Sequence, residues 1–190
     1  MDPRKAPAIK AEIENLLKVG FIYPIPLLDW VSNLIPVDKK QGTIHVCTDF
    51  RYLNRACPKD RFPTPFIDQI LDECAGSEVS SLMDGFSGYN QIQIKPEDQN
   101  KTAFIFPWGT FAYRKMPFNL KNLRDTFQRA MSFAFHDIKN IIEVYLDDLT
   151  THSHLRVCHP YHLQLVFERC HHYQVCLNSH MLYQNPVTIM

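Results

Sequence analysis

Apolar residues along this chain switch between helical and strand-like spacing, and Gly and Pro punctuate the switches. Ile9, Ile13, Leu16 and Leu17 recur at helical spacing, Pro7 suits an early helical position and Gly20 closes the segment, so a first helix is predicted. Pro24 and Pro26 predict no regular element over 21–30. Residues 31–37 read as a short strand, 38–42 as a turn and 43–50 as the returning strand. Pro58, Pro63 and Pro65 predict an extended run. A short amphipathic helix over 66–74 follows, with Ile67, Ile70 and Leu71 inward and Gly76 as its cap.

Residues 79–84 predict a strand ending in Asp84, then a small-residue bend, and 90–95 alternates as a half-buried strand would. Segments 102–106 and 111–114 flank Pro107-Trp108-Gly109-Thr110 as a hairpin. Leu120, Leu123, Phe127, Ala130, Met131 and Ala134 mark one face of a helix over 120–135. The apolar run 141–146 delivers Asp147-Asp148, and the partly β-branched stretch 149–153 follows. This reads as strand, tight turn, strand, with the aspartates at the tip. A last helix starts near His159, with Leu163, Val166, Phe167 and Cys170 inward, and the pattern dissolves after Asn178. Hairpin groups interleaved with helices predict an α+β domain on an antiparallel sheet.

The 190 residues fit one domain or two lobes, and 45% hydrophobic content supports a sizeable core. A net charge of zero is not the balance of a simple nucleic-acid binder, although Lys39, Lys40, Arg51, Arg55, Lys59 and Arg61 cluster locally. That cluster suits phosphate oxygens or an ordinary solvated face. Six scattered cysteines with no CxxC pair, no signal-type segment and no membrane-spanning run predict an intracellular protein with free thiols. A zinc module drawn from Cys158, His159, His162, Cys170, His171, His172, Cys176 and His180 lacks the usual knuckles, and packing accounts better for Cys170.

Adjacent strand residues point to opposite faces, so only a turn lets Asp147 and Asp148 serve one site. The bland alternative is an Asx-type turn. Two close carboxylates raise each other's proton affinity, a conflict that a divalent cation removes, and hard oxygen ligands suit magnesium or manganese. If the strand of Asp84 is a neighbour, three carboxylates converge, enough for two ions roughly 3.5–4 Å apart.

At this point several segments, in order, resemble the fingers and palm of the reverse transcriptase of gypsy-class LTR retrotransposons. They are Trp30-Val31-Ser32-Asn33, the run from Val46 to Asn54, Asp84 through Ile94, and Thr102-Ala103-Phe104. Met116-Pro117-Phe118, Thr126-Phe127-Gln128-Arg129, Tyr145 to Asp148, and His162-Leu163 with Val166-Phe167-Glu168 complete the set. The resemblance implies a palm-type antiparallel sheet backed by helices and a hairpin-rich fingers region, without a thumb. Fingers-like residues would be about 1–80 with 96–118, palm-like residues about 81–95 with 119–178, and 179–190 a divergent tail. It implies an RNA-directed DNA polymerase that adds deoxynucleotides to a primer 3′-hydroxyl on an RNA or DNA template, with two Mg2+ or Mn2+ ions. Asp84, Asp147 and Asp148 would be the catalytic metal ligands, with the Gly85 backbone beside them. Lys39, Lys40, His45, Phe86, Tyr89, Phe118 and Asn119 would bind the nucleotide, Tyr89 as the aromatic gate beneath the sugar. Arg51, Tyr145 and Leu146 would meet primer or template. No membrane is expected, and the setting would be cytoplasm, virus-like particle or nucleus.

The sequence departs from that pattern at named positions. The family has Arg where His45 stands, Gly where Asn119 stands, and small residues where Leu123, Arg124 and Asp125 stand. Histidine lacks the fixed charge and fork of arginine. A side chain at 119 would obstruct close backbone approach, and bulk at 123–125 would overpack the helix on the palm. The expectation includes no RNase H or integrase region. The expectation is a truncated, decayed copy; the alternative is a catalytically dead relic or nucleic-acid-binding domain with the same fold.

Overall fold

A computed structural model describes residues 5–38, 44–85, 88–178 and 183–185. In chain order the elements are α1 (Ala6–Lys18), β1 (Ile22–Ile25), β2 (Ser32–Asp38), β3 (Ile44–Thr48), α2 (Arg51–Ala56), α3 (Ile67–Cys74) and β4 (Val79–Asp84). Then come α4 (Pro96–Gln99), β5 (Phe104–Phe106), β6 (Gly109–Tyr113), α5 (Leu123–Ala134), β7 (Ile142–Tyr145), β8 (Asp148–Ser153), α6 (His159–Tyr173) and β9 (Tyr183–Asn185). They form two units, Met1–Lys59 with Ile92–Leu123, and Asp60–Gln91 with Arg124–Met190. Residues 60–80 fall in the second of these units.

The first unit carries a five-stranded sheet in the order β1-β6-β5-β2-β3. Its β2–β5 pair is parallel and the others antiparallel, so the fold is mixed α/β. Ile9 and Ile13 of α1, 1% and 3% exposed, enter a core with Ile22, Val46, Phe50, Phe104, Phe106, Phe111 and Tyr113. Each such side chain contributes roughly 1.5–3 kcal/mol on burial. The prolines do not prevent a strand over 21–30: β1 contains Pro24, opposite Phe111. An edge strand accommodates proline because its missing N–H can face away from the ladder. The alternation over 90–95 does not make a full strand either. Gly88–Gln91 is a 3-10 turn, and Gln93 bridges Lys115 singly. Pro96 then opens α4 and stops any extension.

The second unit carries an antiparallel sheet in the order β7-β8-β4-β9. α6 packs on β8 and buries His159, Val166 and Cys170, while Phe167, expected inward, is 41% exposed. α5 starts at Leu123 rather than Leu120, and buries Leu123, Phe127, Met131 and Ala134. α3 forms where expected, yet it buries none of its residues, and Ile67 and Leu71 are exposed. Helical periodicity reports an apolar side, not what lies against it. All six cysteines are free. Among the described residues no helix is long and apolar enough to cross a membrane.

Candidate active site

β7 and β8 close through a two-residue turn. Tyr145 pairs with Asp148, so Leu146 and Asp147 form the turn and Asp148 opens the returning strand. Leu146 sits at φ 53°, a left-handed conformation that costs a branched residue about 1–2 kcal/mol. A buried amide from α5 secures it. Gln128, 2% exposed, donates from Nε2 to the Val144 carbonyl at 2.9 Å and accepts at Oε1 from the Leu146 N–H at 2.8 Å. On the other side, the Gly85 N–H donates to the Asp147 carbonyl at 2.8 Å. The Asn178 N–H donates to the Asp84 carbonyl at 2.7 Å. Asp84 lies directly opposite Asp148 in the β4–β8 register, and directly opposed residues share a face.

The carboxylates sense one another. Burial first, and then the charge of Asp84, push both Asp147 and Asp148 above the usual carboxylate range. The neighbouring Tyr89 hydroxyl partly offsets this for Asp147. Burial, followed by the Asp147 charge, raises the Tyr89 phenol in turn. Its ring meets Phe127 edge-on at 5.2 Å between centroids. Among the described residues, Asp147 Oδ1 is buried without a hydrogen-bond partner. It lies against Gly88, where an added Cβ would clash with Oδ1 and stand 3.2 Å from Phe127 Cζ. Among the described residues no three His, Cys, Asp or Glu side chains converge closely enough to hold a metal. Hard oxygens with an orphaned acceptor nevertheless fit a divalent cation that takes its remaining ligands from backbone or phosphate.

The first unit holds a different set. Asn119 sits at φ 74°, the left-handed region that favours Gly and tolerates Asn better than most residues. The backbone conformation thus accounts for glycine at this position in the family and for asparagine as its substitute. The Asn119 carbonyl accepts from Asn54 Nδ2 at 2.7 Å, and Asn54 Oδ1 accepts from the Lys121 N–H at 2.8 Å. Lys121 Nζ donates to the Cys57 carbonyl and Asn122 Nδ2 to the Pro58 carbonyl, each at 2.8 Å. Arg51 turns its fork onto Asp49, Nε to Oδ1 at 2.9 Å and Nη2 to Oδ2 at 2.6 Å, which lowers the Asp49 pKa. A cavity of about 570 Å³ is lined by Ile35, Val37, Asp49, Arg51, Asn54 and Asn119 among others. Phe118 is exposed. Lys39, Lys40 and Phe86 lie outside the described residues, as does the side chain of His45, whose backbone pairs with Val37 in β3.

The expected overpacking by 123–125 takes a narrower form. Leu123 is buried, whereas Arg124 is exposed. Three residues given no role from sequence shape these sites: Gln128, Gly88 and Asn54. Gln128 had one signal, a polar residue beside Phe127 in an otherwise apolar stripe.

The profile of the family described as reverse transcriptase (RNA-dependent DNA polymerase) matches residues 37–180. The transposon Tf2-3 polyprotein of Schizosaccharomyces pombe is 28% identical over 180 residues, covering 94% of this chain and 13% of that polyprotein. The Tf2-7 polyprotein of the same yeast is 27% identical with the same coverage. The chain therefore spans only about an eighth of the length of these relatives. Native prototype foamy virus protease-reverse transcriptase has a similar fold, with a TM-score of 0.77 at 22% identity over 96% of this chain and 24% of that one. The foamy viral protease-reverse transcriptase in complex with dsDNA gives a TM-score of 0.80 at 21% identity, over 93% and 37%. With the family profile spanning most of its length, the chain belongs to the reverse transcriptase (RNA-dependent DNA polymerase) family.

Proposed function

We propose that this chain is the nucleotide-adding part of a gypsy-class retrotransposon reverse transcriptase, extending a primer 3′-hydroxyl with deoxynucleotides on an RNA or DNA template. The observation that carries the reading is the carboxylate turn: Asp84 opposite Asp148, with Asp147 presented beside them and its Oδ1 unpartnered among the described residues. Asp84, Asp147 and Asp148 would hold divalent metal, magnesium or manganese, with the Gly85 backbone. When bound, such ions lower the pKa of the attacking hydroxyl and neutralise charge on the triphosphate. The chain's own part is positioning. Gln128 fixes the turn, Gly88 leaves room for Asp147, and the Tyr89 ring would exclude a ribose 2′-hydroxyl. In the first unit the Asn54-braced loop at 119–122 would line the nucleotide's base and sugar, and Arg51 would lie along the template.

Similarity to retrotransposon polyproteins and to foamy viral enzymes in complex with dsDNA and with RNA/DNA hybrid supports nucleic acid as the partner. Similarity to retrotransposon polyproteins supports an intracellular setting, and the compartment we propose is cytoplasm, a virus-like particle or the nucleus. Primer extension tests the reading, with an RNA template, a DNA primer, and deoxy- or ribonucleotides in magnesium or manganese. The expected result is metal-dependent extension with deoxynucleotides, and ribonucleotide use that rises in Tyr89→Ala. Folded protein that extends nothing in either metal would contradict it.

A further inference from the structure

α6 meets the inner face of the second unit's sheet through polar side chains. Ser81 of β4, Ser153 of β8 and His159, the first residue of α6, are 2%, 1% and 4% exposed. His159 Nε2 lies 2.8 Å from Ser81 Oγ, and its Nδ1 lies 2.8 Å from Ser153 Oγ. Ser153 Oγ also meets His162 Nδ1 at 2.8 Å. One imidazole thus bridges the strand that ends in Asp84 and the strand that opens with Asp148, on the sheet face opposite those carboxylates. Three bonds need three hydrogens. With both rings neutral, the two hydroxyls and the ring N–H groups supply them whichever way the chain runs.

A proton on His159 upsets this arrangement. Both serine oxygens can still accept, so the hydrogen bonds survive, but the charge is buried without a counter-charge. Among the described residues the histidine that pairs with a carboxylate is His136, with Asp137, and not His159. On α6 the titratable neighbour is His162, whose own charge would repel. On β8, His152 points to the other face, with Ser77 at 3.3 Å and with His154 and the Glu73 carboxylate acting on it. Glu78, just before β4, accepts from the Arg156 N–H at 2.8 Å. Burial first, and then His162, hold His159 below the usual histidine range. We propose that the Ser81–His159–Ser153–His162 chain is an acid-sensitive clasp, which ties α6 to both carboxylate-bearing strands while His159 is neutral and lets α6 go when that ring takes a proton. The folded chain binds this proton more weakly than the released chain. The clasp therefore holds fully above about pH 6.5 and weakens as pH falls below it.

Hydrogen exchange on the whole chain, without metal, nucleotide or template, tests the clasp independently of the proposed function. The amides of α6 are followed at pH 7.5 and pH 5.5, corrected for intrinsic rates. In the parent their protection should fall about three- to tenfold, since one proton taken up on opening gives at most about tenfold per pH unit below 6.5. His159→Gln is neutral at both pH values, so its protection should fall less than about twofold. Comparing the two proteins cancels the carboxylates they share. His162→Gln keeps the buried ring and should keep a fall of about twofold or more. A fall that persists in His159→Gln, vanishes in His162→Gln or is absent from the parent overturns the clasp. Should His159→Gln not fold, an NMR titration of the His159 imidazole in the parent decides. Titration below about pH 6 supports the clasp, and titration at or above it overturns the clasp.

Discussion

The carboxylate turn of the second unit and the braced loop of the first unit are held by different physics. Around Asp147 the determinants are buried and the fit is tight: Gln128 is 2% exposed, and Gly88 leaves no space for a Cβ. Around Asn119 they are surface hydrogen bonds from Asn54, Lys121 and Asn122 to backbone carbonyls, and a pair between an exposed Arg51 and a largely covered Asp49. A buried amide with two partners is costly to replace, whereas an exposed bond exchanges readily with water. The departures do not follow this division: His45, Asn119 and Leu123 fall in the first unit and Arg124 and Asp125 in the second, where Asp84, Tyr89, Asp147 and Asp148 are retained.

That contrast can be broken by substitution, beginning where the effect should be greatest. Gly88→Ala forces a methyl onto Asp147 Oδ1 and Phe127, and should cost about 2–3 kcal/mol in urea unfolding. A loss under 0.5 kcal/mol would show that the turn is not tightly packed. Gln128→Leu keeps the volume but strands the Leu146 N–H and the Val144 carbonyl. It should cost about 2 kcal/mol and speed hydrogen exchange at Leu146.

The next effect depends on pH. Glu143, on β7, is pushed up to about 7 by burial and by a hydrogen bond with Glu73, with Lys139 opposing. The folded state therefore keeps a proton that the unfolded chain releases near pH 4.5, so stability falls as pH rises from about 4.5 through 7. Glu143→Gln should raise stability at pH 8 by about 1 kcal/mol after solvent screening and change little at pH 4. Equal effects at both pH values would show that the carboxyl pair is not the cause. The smallest effect belongs to the first unit. Asn119→Gly relieves the left-handed backbone and should add about 0.5 kcal/mol, measured by thermal unfolding.

Much of the carboxylate half was legible in sequence. A strand run into Asp147-Asp148, a second strand ending in Asp84 and segments in family order predict that these strands are neighbours, and the β4–β8 register sets Asp84 opposite Asp148. What sequence does not carry is the support. Nothing in the spacing says that Gln128 reaches across to Leu146, because that bond joins residues 18 apart through packing. Nor could it show that position 119, an Asn in this chain, sits at a positive φ. The β1 strand was missed because proline forbids only a position whose N–H must join a ladder: Pro24 lies on the edge strand β1, as Pro36 lies beyond the two residues of β2 that pair with β5, and sequence does not reveal which side is unpaired. The outward face of α3 was missed for a related reason: an apolar stripe does not name what covers it.

The most direct measurement is single-turnover incorporation of one deoxynucleotide on a primed RNA template, comparing the parent chain, Asp147→Asn and Arg51→Ala. Asp147→Asn should lose about a thousandfold or more, in keeping with removal of a charge that acts in the transition state, while Arg51→Ala loses only a few-fold. Incorporation that survives Asp147→Asn, or falls equally in both variants, would contradict the carboxylate turn as the reaction centre.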